Sequence, residues 1–257
     1  MKIHAIYTYN QLRNFTYVIE LNDKSCIVLD PWDDKQVNRI IIKNKLRLTS
    51  IINTHEHNDH TKGNELLVKQ HNCEVWAHKN GINKIPYLTR TLNAHEKIII
   101  DDIFIKVMDT PGHTYAHLCF LLMENDTQKA VFTGDTLFNA GVGNCNSGDP
   151  ETLYKTISEQ FHTLDDNVRV YPGHDYLENN LKFTLSLEPD NNEAKIWLNK
   201  VKNIDPGKNP LWTTIGNERT FNTFFRLKNK KIQSNLGISN NSDKDVFIAL
   251  RNKRNSW

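Results

Sequence analysis

Thr54-His55-Glu56-His57-Asn58-Asp59-His60 packs three histidines and an aspartate into six positions. The run follows an apolar stretch, 48–52, whose composition predicts a β-strand. The cluster is therefore expected at a strand end or on the loop after it. Neutral imidazole beside carboxylate oxygen suits zinc, iron or manganese.

Three more motifs repeat the pattern of a ligand placed after a predicted strand. They are Thr110-Pro111-Gly112-His113-Thr114, Phe132-Thr133-Gly134-Asp135-Thr136 and Tyr171-Pro172-Gly173-His174-Asp175. With the first run they hold five of the eleven histidines. Each of the three carries a glycine next to the ligand, as a tight turn against a crowded site requires. The donor chemistry supports two adjacent metals. His55, His57 and His113 suit one, Asp59, His60 and His174 the other, and the two oxygens of Asp135 can bridge them. No cysteine joins the set, which argues against a structural zinc site. His117 is a candidate support for the ligands. His4, His71, His78, His95 and His162 are expected to be ordinary surface or core residues.

Composition narrows the class. The chain has 257 residues, enough for a sizeable core, and 32 Lys and Arg against 30 Asp and Glu leave a net charge of only +2. Nucleic acid is not an expected partner. No segment approaches the ~20 apolar residues of a membrane span, and the N-terminus lacks a signal peptide's apolar core. The four cysteines, Cys26, Cys73, Cys119 and Cys145, are dispersed, which fits free thiols in a reducing compartment. A cytoplasmic monomer is expected.

The first 175 residues read as a mixture of strands and helices. Short β-branched or aromatic stretches at 3–9, 14–21 and 25–30 predict strands, as do 73–77, 118–123, 129–133 and 168–171. The stretches 98–100 and 103–107 flank Asp101-Asp102 as an expected hairpin. Helices are expected at 33–44 and 62–71. Another starts at Asp149-Pro150, with Asp as N-cap and Pro at the first helical position. Leu153, Ile157 and Phe161 then mark its buried face. Beyond 175 the periodicity turns helical. Leu177, Leu181 and Leu185 share one face, Glu188-Pro189-Asp190 interrupts, and Ala194, Trp197, Leu198 and Val201 share the next. The expected organisation is α+β, with residues 1–175 as the catalytic domain and 176–257 as a small helical domain packed on it.

The four motifs, in this order, resemble the metallo-β-lactamase fold superfamily, which implies a four-layer αβ/βα sandwich. More of the chain is similar to the glyoxalase II, or hydroxyacylglutathione hydrolase, family. The similarity includes Phe132–Phe138 followed by Gly141-Val142-Gly143, then Gly173-His174-Asp175-Tyr176, Asn179–Phe183 and Glu188-Pro189. It also includes a helical C-terminal region ending in a basic segment, Leu250-Arg251-Asn252-Lys253-Arg254. The resemblance implies hydrolysis of S-D-lactoylglutathione and similar 2-hydroxyacylglutathiones to D-lactate and glutathione, the second step of methylglyoxal detoxification. A hydroxide bridging two divalent ions, zinc foremost with iron or manganese possible, would attack the thioester. Asp59 and Asp135 would be the catalytic carboxylates.

By the same resemblance Tyr176, Arg251 and Arg254 would contact glutathione, whose two carboxylates suit arginine's fork. The family usually has histidine where Glu56 stands, and Ala-Gly-Gly where this chain has Thr61-Lys62-Gly63. It usually offers a basic residue, and an aromatic two positions on, where Asn144, Cys145 and Asn146 stand here. Asn144 and Asn146 can still hydrogen-bond a peptide. The lost cation and aromatic face are expected to weaken glutathione binding by about 1–3 kcal/mol. The change motivates a related hydrolase acting on another thioester or a lactone as one alternative. A mono-iron glutathione persulfide dioxygenase is a second.

Overall fold

Runs of β-branched and aromatic side chains in the first thirty residues build half of one sheet in a computed structural model of the protein. The structure describes residues 1–100, 103–238 and 242–257. The first sheet takes β1 (Lys2–Tyr7), β2 (Phe15–Glu20), β3 (Ser25–Leu29), β4 (Arg47–Ile52), β5 (Glu74–His78) and β6 (Arg90–Leu92), in that spatial order. The first three pair antiparallel, and β3 through β6 run parallel. Parallel neighbours need crossovers. Helix α1 (Asp34–Asn44) crosses from β3 to β4, and α2 (Asn58–Thr61) with α3 (Asn64–His71) lie between β4 and β5.

The second sheet uses β7 (Lys97–Ile100), β8 (Ile103–Asp109), β9 (Leu118–Glu124), β10 (Thr127–Gly134) and, after a small β11 (Leu137–Phe138)–β12 (Gly141–Val142) hairpin and α4 (Pro150–Gln160), β13 (Arg169–Pro172). Its spatial order is β13-β10-β9-β8-β7. β10 and β13 are parallel, and β8 and β10 each pair antiparallel with β9. β8, β10 and β13 therefore all point the same way, and their C-terminal ends share one edge of the sheet. At that edge the sheets are tied together: Leu118 N–H donates to Thr54 O at 2.7 Å, and Phe15 N–H to Gly173 O at 2.8 Å. β4 thus ends beside the same edge. That convergence is what brings four distant motifs together.

Three cores make four layers. Ile19, Ile27, Leu29 and Ile52 meet Phe120 and Phe132 between the sheets. Val37 and Ile41 of α1 and Leu67 of α3 cover Val18, Val28, Ile51 and Val75 on the outer face of the first sheet. Leu153, Ile157 and Phe161 cover Cys119, Leu121 and Val131 on the outer face of the second. The helical region comprises α5 (Leu177–Leu187), α6 (Asn192–Val201), α7 (Ile215–Phe221), α8 (Lys230–Asn235) and α9 (Asp243–Asn255); α5, α7, α8 and α9 join that last core directly, and α6 packs on α5 and α7 in a smaller cluster. Phe183, Ile215, Phe224, Val246, Phe247 and Leu250 share the cluster with the strands of sheet two. Asp149 caps α4 by accepting from Thr152 N–H, as its sequence predicts.

Some elements differ from expectation. The helix expected over 62–71 begins two residues later, as α3 at Asn64, and a separate helical turn, α2, precedes it within the ligand run. Gly63 N–H donates to Pro31 O at 2.7 Å and its backbone packs on Pro31, which breaks the run between α2 and α3. β6 is three residues of mixed polarity, and β11 and β12 are two residues each, too short for periodicity to register. The turn expected at Asp101-Asp102 lies outside the described residues.

Candidate metal centre and adjoining pocket

The structure brings all seven predicted ligands together at the shared edge. The run after β4 supplies His55, His57, Asp59 and His60. The loops after β8, β10 and β13 supply His113, Asp135 and His174. The donor atoms of His55, His57 and His113 lie within 4.8 Å of one another, as do those of Asp59, His60 and His174. His55, His60 and Asp135 form a third such group between them. Within the first, His57 Nδ1 lies 3.0 Å from His55 Nε2 and 3.1 Å from His113 Nε2. Within the second, His60 Nε2 and His174 Nε2 are 3.2 Å apart. Asp135 stands between: Oδ2 is 3.1 Å from His174 Nε2 and 3.5 Å from His113 Nε2, and Oδ1 is 3.3 Å from His60 Nε2.

Each imidazole is oriented through its other nitrogen, an arrangement typical of metal-ligating histidines. His55 Nδ1 faces Thr54 Oγ1 at 3.0 Å, and His57 Nε2 faces Ser147 Oγ at 3.2 Å. His60 Nδ1 donates to Asp30 Oδ2 at 2.9 Å. His113 Nδ1 donates to Asn144 O at 2.7 Å, and His174 Nδ1 to Leu12 O at 2.8 Å. Asn14 Nδ2 donates to Asp59 Oδ2 at 2.8 Å. His117 is fully buried behind the cluster, where its Nε2 accepts the Asp135 N–H at 3.1 Å. Gly134, at φ +45°, makes the turn that delivers Asp135. A Cβ there would sit 2.9 Å from His117 Nε2.

The electrostatics call for positive charge. Burial alone would push His60 down, but Asp135 and Asp30 beside it hold it well above the ordinary histidine range. Asp135 would be raised by burial, yet His174 and His60 hold it well below the carboxylate range. Burial lowers His55, His113 and His117, leaving them neutral, the form that binds metal. Asp135 Oδ1 is buried without a hydrogen-bond partner, an orphan that a bound cation would satisfy. The converging nitrogens, the orphaned oxygen and the absence of thiolate all fit a divalent metal.

A cavity of about 340 Å³ adjoins the cluster, lined by Phe138, Tyr176, Asn144, Asn146, Arg251 and Arg254 among others. All five predicted substrate-binding residues are in its wall. Tyr176 stacks on His174 with ring centres 5.0 Å apart and an interplanar angle of 3°, so pocket and cluster are contiguous. Arg251, expected to contact glutathione, is buried, and its Nη1 donates to Val142 O and Gly143 O. A larger cavity, about 550 Å³, is lined by Tyr154, His162, Arg219 and Phe225 and includes none of the ligands.

Sequence reasoning missed Asp30, Asn14 and Ser147. Asp30 had a usable signal, since it follows β3 as the ligands follow their strands. Asn14 and Ser147 had none, and the Leu12 and Asn144 carbonyls are backbone groups that no side-chain pattern reveals.

Comparison with known proteins agrees with this geometry. Residues 10–174 match the family model of the metallo-beta-lactamase superfamily, and 175–257 match the model described as the hydroxyacylglutathione hydrolase C-terminus. Curated proteins named hydroxyacylglutathione hydrolase are 42% identical in Nitrosococcus oceani and 39% identical in a Polaromonas species, in each case over 100% of both chains. Among solved structures, ETHE1 from Myxococcus xanthus superposes with a TM-score of 0.68 at 23% identity, over 99% of this chain and 92% of that one. A Staphylococcus aureus metallo-beta-lactamase gives 0.67 at 20% identity, over 98% and 70%. These two likenesses establish the fold. No helix among the described residues is long and apolar enough to cross a membrane.

Proposed function

The chain belongs to the hydroxyacylglutathione hydrolase family of the metallo-beta-lactamase superfamily, and from that premise we propose that it hydrolyses 2-hydroxyacylglutathione thioesters, S-D-lactoylglutathione first among them. The observation that carries the reading is Tyr176, which stacks on His174 and also lines a cavity bearing Arg254, Asn144 and Asn146. A ligand in that cavity has its reacting end at the histidine cluster.

In this reading His55, His57 and His113 would hold one divalent ion and Asp59, His60 and His174 a second, with Asp135 available to both groups. Zinc is the first choice, with iron or manganese accepted by the same donors. Such ions make water nucleophilic at neutral pH and polarise a carbonyl. The chain's own groups do the rest. Asn14 fixes the Asp59 carboxylate, which would orient the attacking water. Arg254 takes a glutathione carboxylate, and Asn144 and Asn146 hydrogen-bond its peptide groups. A thiolate leaves without a strong general acid, because a thiol pKa is near 8.5. Residues 1–175 thus carry the chemistry, and 176–257 contribute Tyr176 and Arg254 to substrate binding. All four cysteines are free thiols, which suits a reducing cytoplasm.

The test is loss of thioester absorbance with S-D-lactoylglutathione, using protein of known metal content and Asp135→Ala as control. Rapid turnover by the parent and none by the variant, with its metal content lowered, is expected. No turnover by fully metallated parent would overturn the substrate assignment, and a panel of other acyl thiols and lactones would then show where the 144–146 loop has redirected it. Full activity of Asp135→Ala with both metals retained would overturn its role.

A further inference from the structure

Arg251 carries its guanidinium into the interior, only 5% exposed, and no carboxylate pairs with it among the described residues. Its Nη1 donates to Val142 O at 2.9 Å and to Gly143 O at 3.0 Å. Its Nε donates to Asn255 Oδ1 at 3.1 Å, one helical turn on, which fixes the guanidinium plane from its own helix. Burial pushes its pKa down to about 10, so it remains charged at neutral pH.

The carbonyls it holds belong to the wall of the metal centre. The Gly143 backbone packs against two ligand residues: a Cβ there would overlap the Asp135 carbonyl oxygen and lie 3.2 Å from His113 Nδ1. The next carbonyl along the chain, Asn144 O, accepts from His113 Nδ1 at 2.7 Å. Asn222 Nδ2 donates to Gly141 O at 3.3 Å. Side chains of the helical region therefore aim three consecutive carbonyls, 141 to 143, and the fourth aims a ligand. Arg254, three residues beyond Arg251, makes no hydrogen bond to this stretch. Its Nη2 reaches Asn180 Oδ1 at 3.4 Å.

We propose that Arg251 is a positioning residue for the metal centre: by fixing the 142–144 backbone it holds His113 in the orientation that binds metal. The inference rests on reading the histidine cluster as a divalent-metal centre. It separates two arginines that sequence pattern treats alike, giving Arg254 to the substrate and Arg251 to the site itself.

The experiment loads the parent, Arg251→Met and Arg254→Ala with zinc. It then follows zinc release to a competing chelator with no substrate present. Methionine keeps the apolar stem and removes every donor. Outer partners of metal ligands are typically worth 10–100-fold in metal affinity. Arg251→Met is therefore expected to release zinc about 10–100-fold faster than the parent, and Arg254→Ala at the parental rate. Backbone amides of 142–146 should exchange hydrogen faster in Arg251→Met than in the parent. Parental zinc release by Arg251→Met, with only KM raised, would overturn the proposal and leave Arg251 a substrate contact. Should circular dichroism show Arg251→Met unfolded, Arg251→Lys keeps the charge but lacks the fork anchored by Asn255. Faster release is again expected, and release at the parental rate overturns the proposal. A parent chain that takes up no zinc would overturn the metal-centre reading and this inference with it.

Discussion

Asp30 Oδ2 accepts a hydrogen bond from His60 Nδ1 at 2.9 Å, and both residues are buried. The same carboxylate accepts from Thr54 N–H at 2.8 Å and Thr54 Oγ1 at 2.7 Å. One side chain thus ties both ends of the histidine run. Asp30→Asn would set an amide N–H₂ against these donors. Metal affinity is expected to fall about 10–100-fold, read by chelator competition. Unchanged affinity would show that the carboxylate is dispensable.

Glu218 gives a pH dependence. It is fully buried between α7 and the β11–β12 turn, accepting from Ala140 N–H, Thr213 Oγ1 and Asn222 Nδ2. Burial raises its pKa to about 7, against the pull of those donors. The folded protein therefore holds this proton more tightly than the unfolded chain, whose glutamate titrates near 4.5. This contribution to stability is fully present below about pH 4.5, declines as pH rises to about 7 and is level above. Its size is about 3 kcal/mol. Urea midpoints of metal-free protein, compared with Glu218→Gln across that window, should show the decline in the parent alone. Parallel curves would count against it.

Arg254 lies 5.6 Å over the Phe183 ring and 5.2 Å over that of Trp257, with its guanidinium in the pocket wall. A charged hydrogen bond to substrate is worth roughly 1.5–3 kcal/mol. Arg254→Ala is accordingly expected to raise KM about 10–100-fold for a glutathione thioester and leave kcat within about twofold. A fall in kcat at constant KM would remove it from substrate binding.

Cys145 packs against the apolar core of the second sheet and its helices, and burial pushes its thiol up to about 11. At pH 7.5 the reactive thiolate is scarce. Iodoacetamide should modify it much more slowly than a free thiol, as followed by mass spectrometry. Rapid stoichiometric labelling would show the side chain open to solvent.

Phe247 of α9 is fully buried against Tyr154 and Phe224, with ring centres at 5.6 and 5.1 Å. Phe247→Ala is expected to destabilise the protein by about 3–5 kcal/mol. A single cooperative transition covering both halves would reflect their common core. Two separate transitions would show that the halves unfold independently.

The ligand motifs were legible because their signals are local. A strand, a glycine and a metal-binding side chain fall within five residues, as at Phe132–Thr136. The long amphipathic helices were legible for the same reason: Leu153, Ile157 and Phe161 repeat every turn and are all buried. What was hidden depends on distant chain segments meeting. Gly63 breaks a helix because Pro31 lies against it. Arg251 reads as a glutathione contact until the hairpin carbonyls are seen beside it. β6, β11 and β12 are too short to show a period.

The shared core on the outer face of the second sheet also sets an order of events during synthesis. Met108, Cys119, Leu121 and Val131 emerge from the ribosome more than a hundred residues before Val246, Phe247 and Leu250, which complete their cover. The sheet that carries His113, Asp135 and His174 at its edge must wait with that face partly bare. Arg251 arrives in the same late helix. If Arg251 positions the metal centre as proposed, newly made chain would fix the 142–144 backbone only after α9 has been translated and has docked.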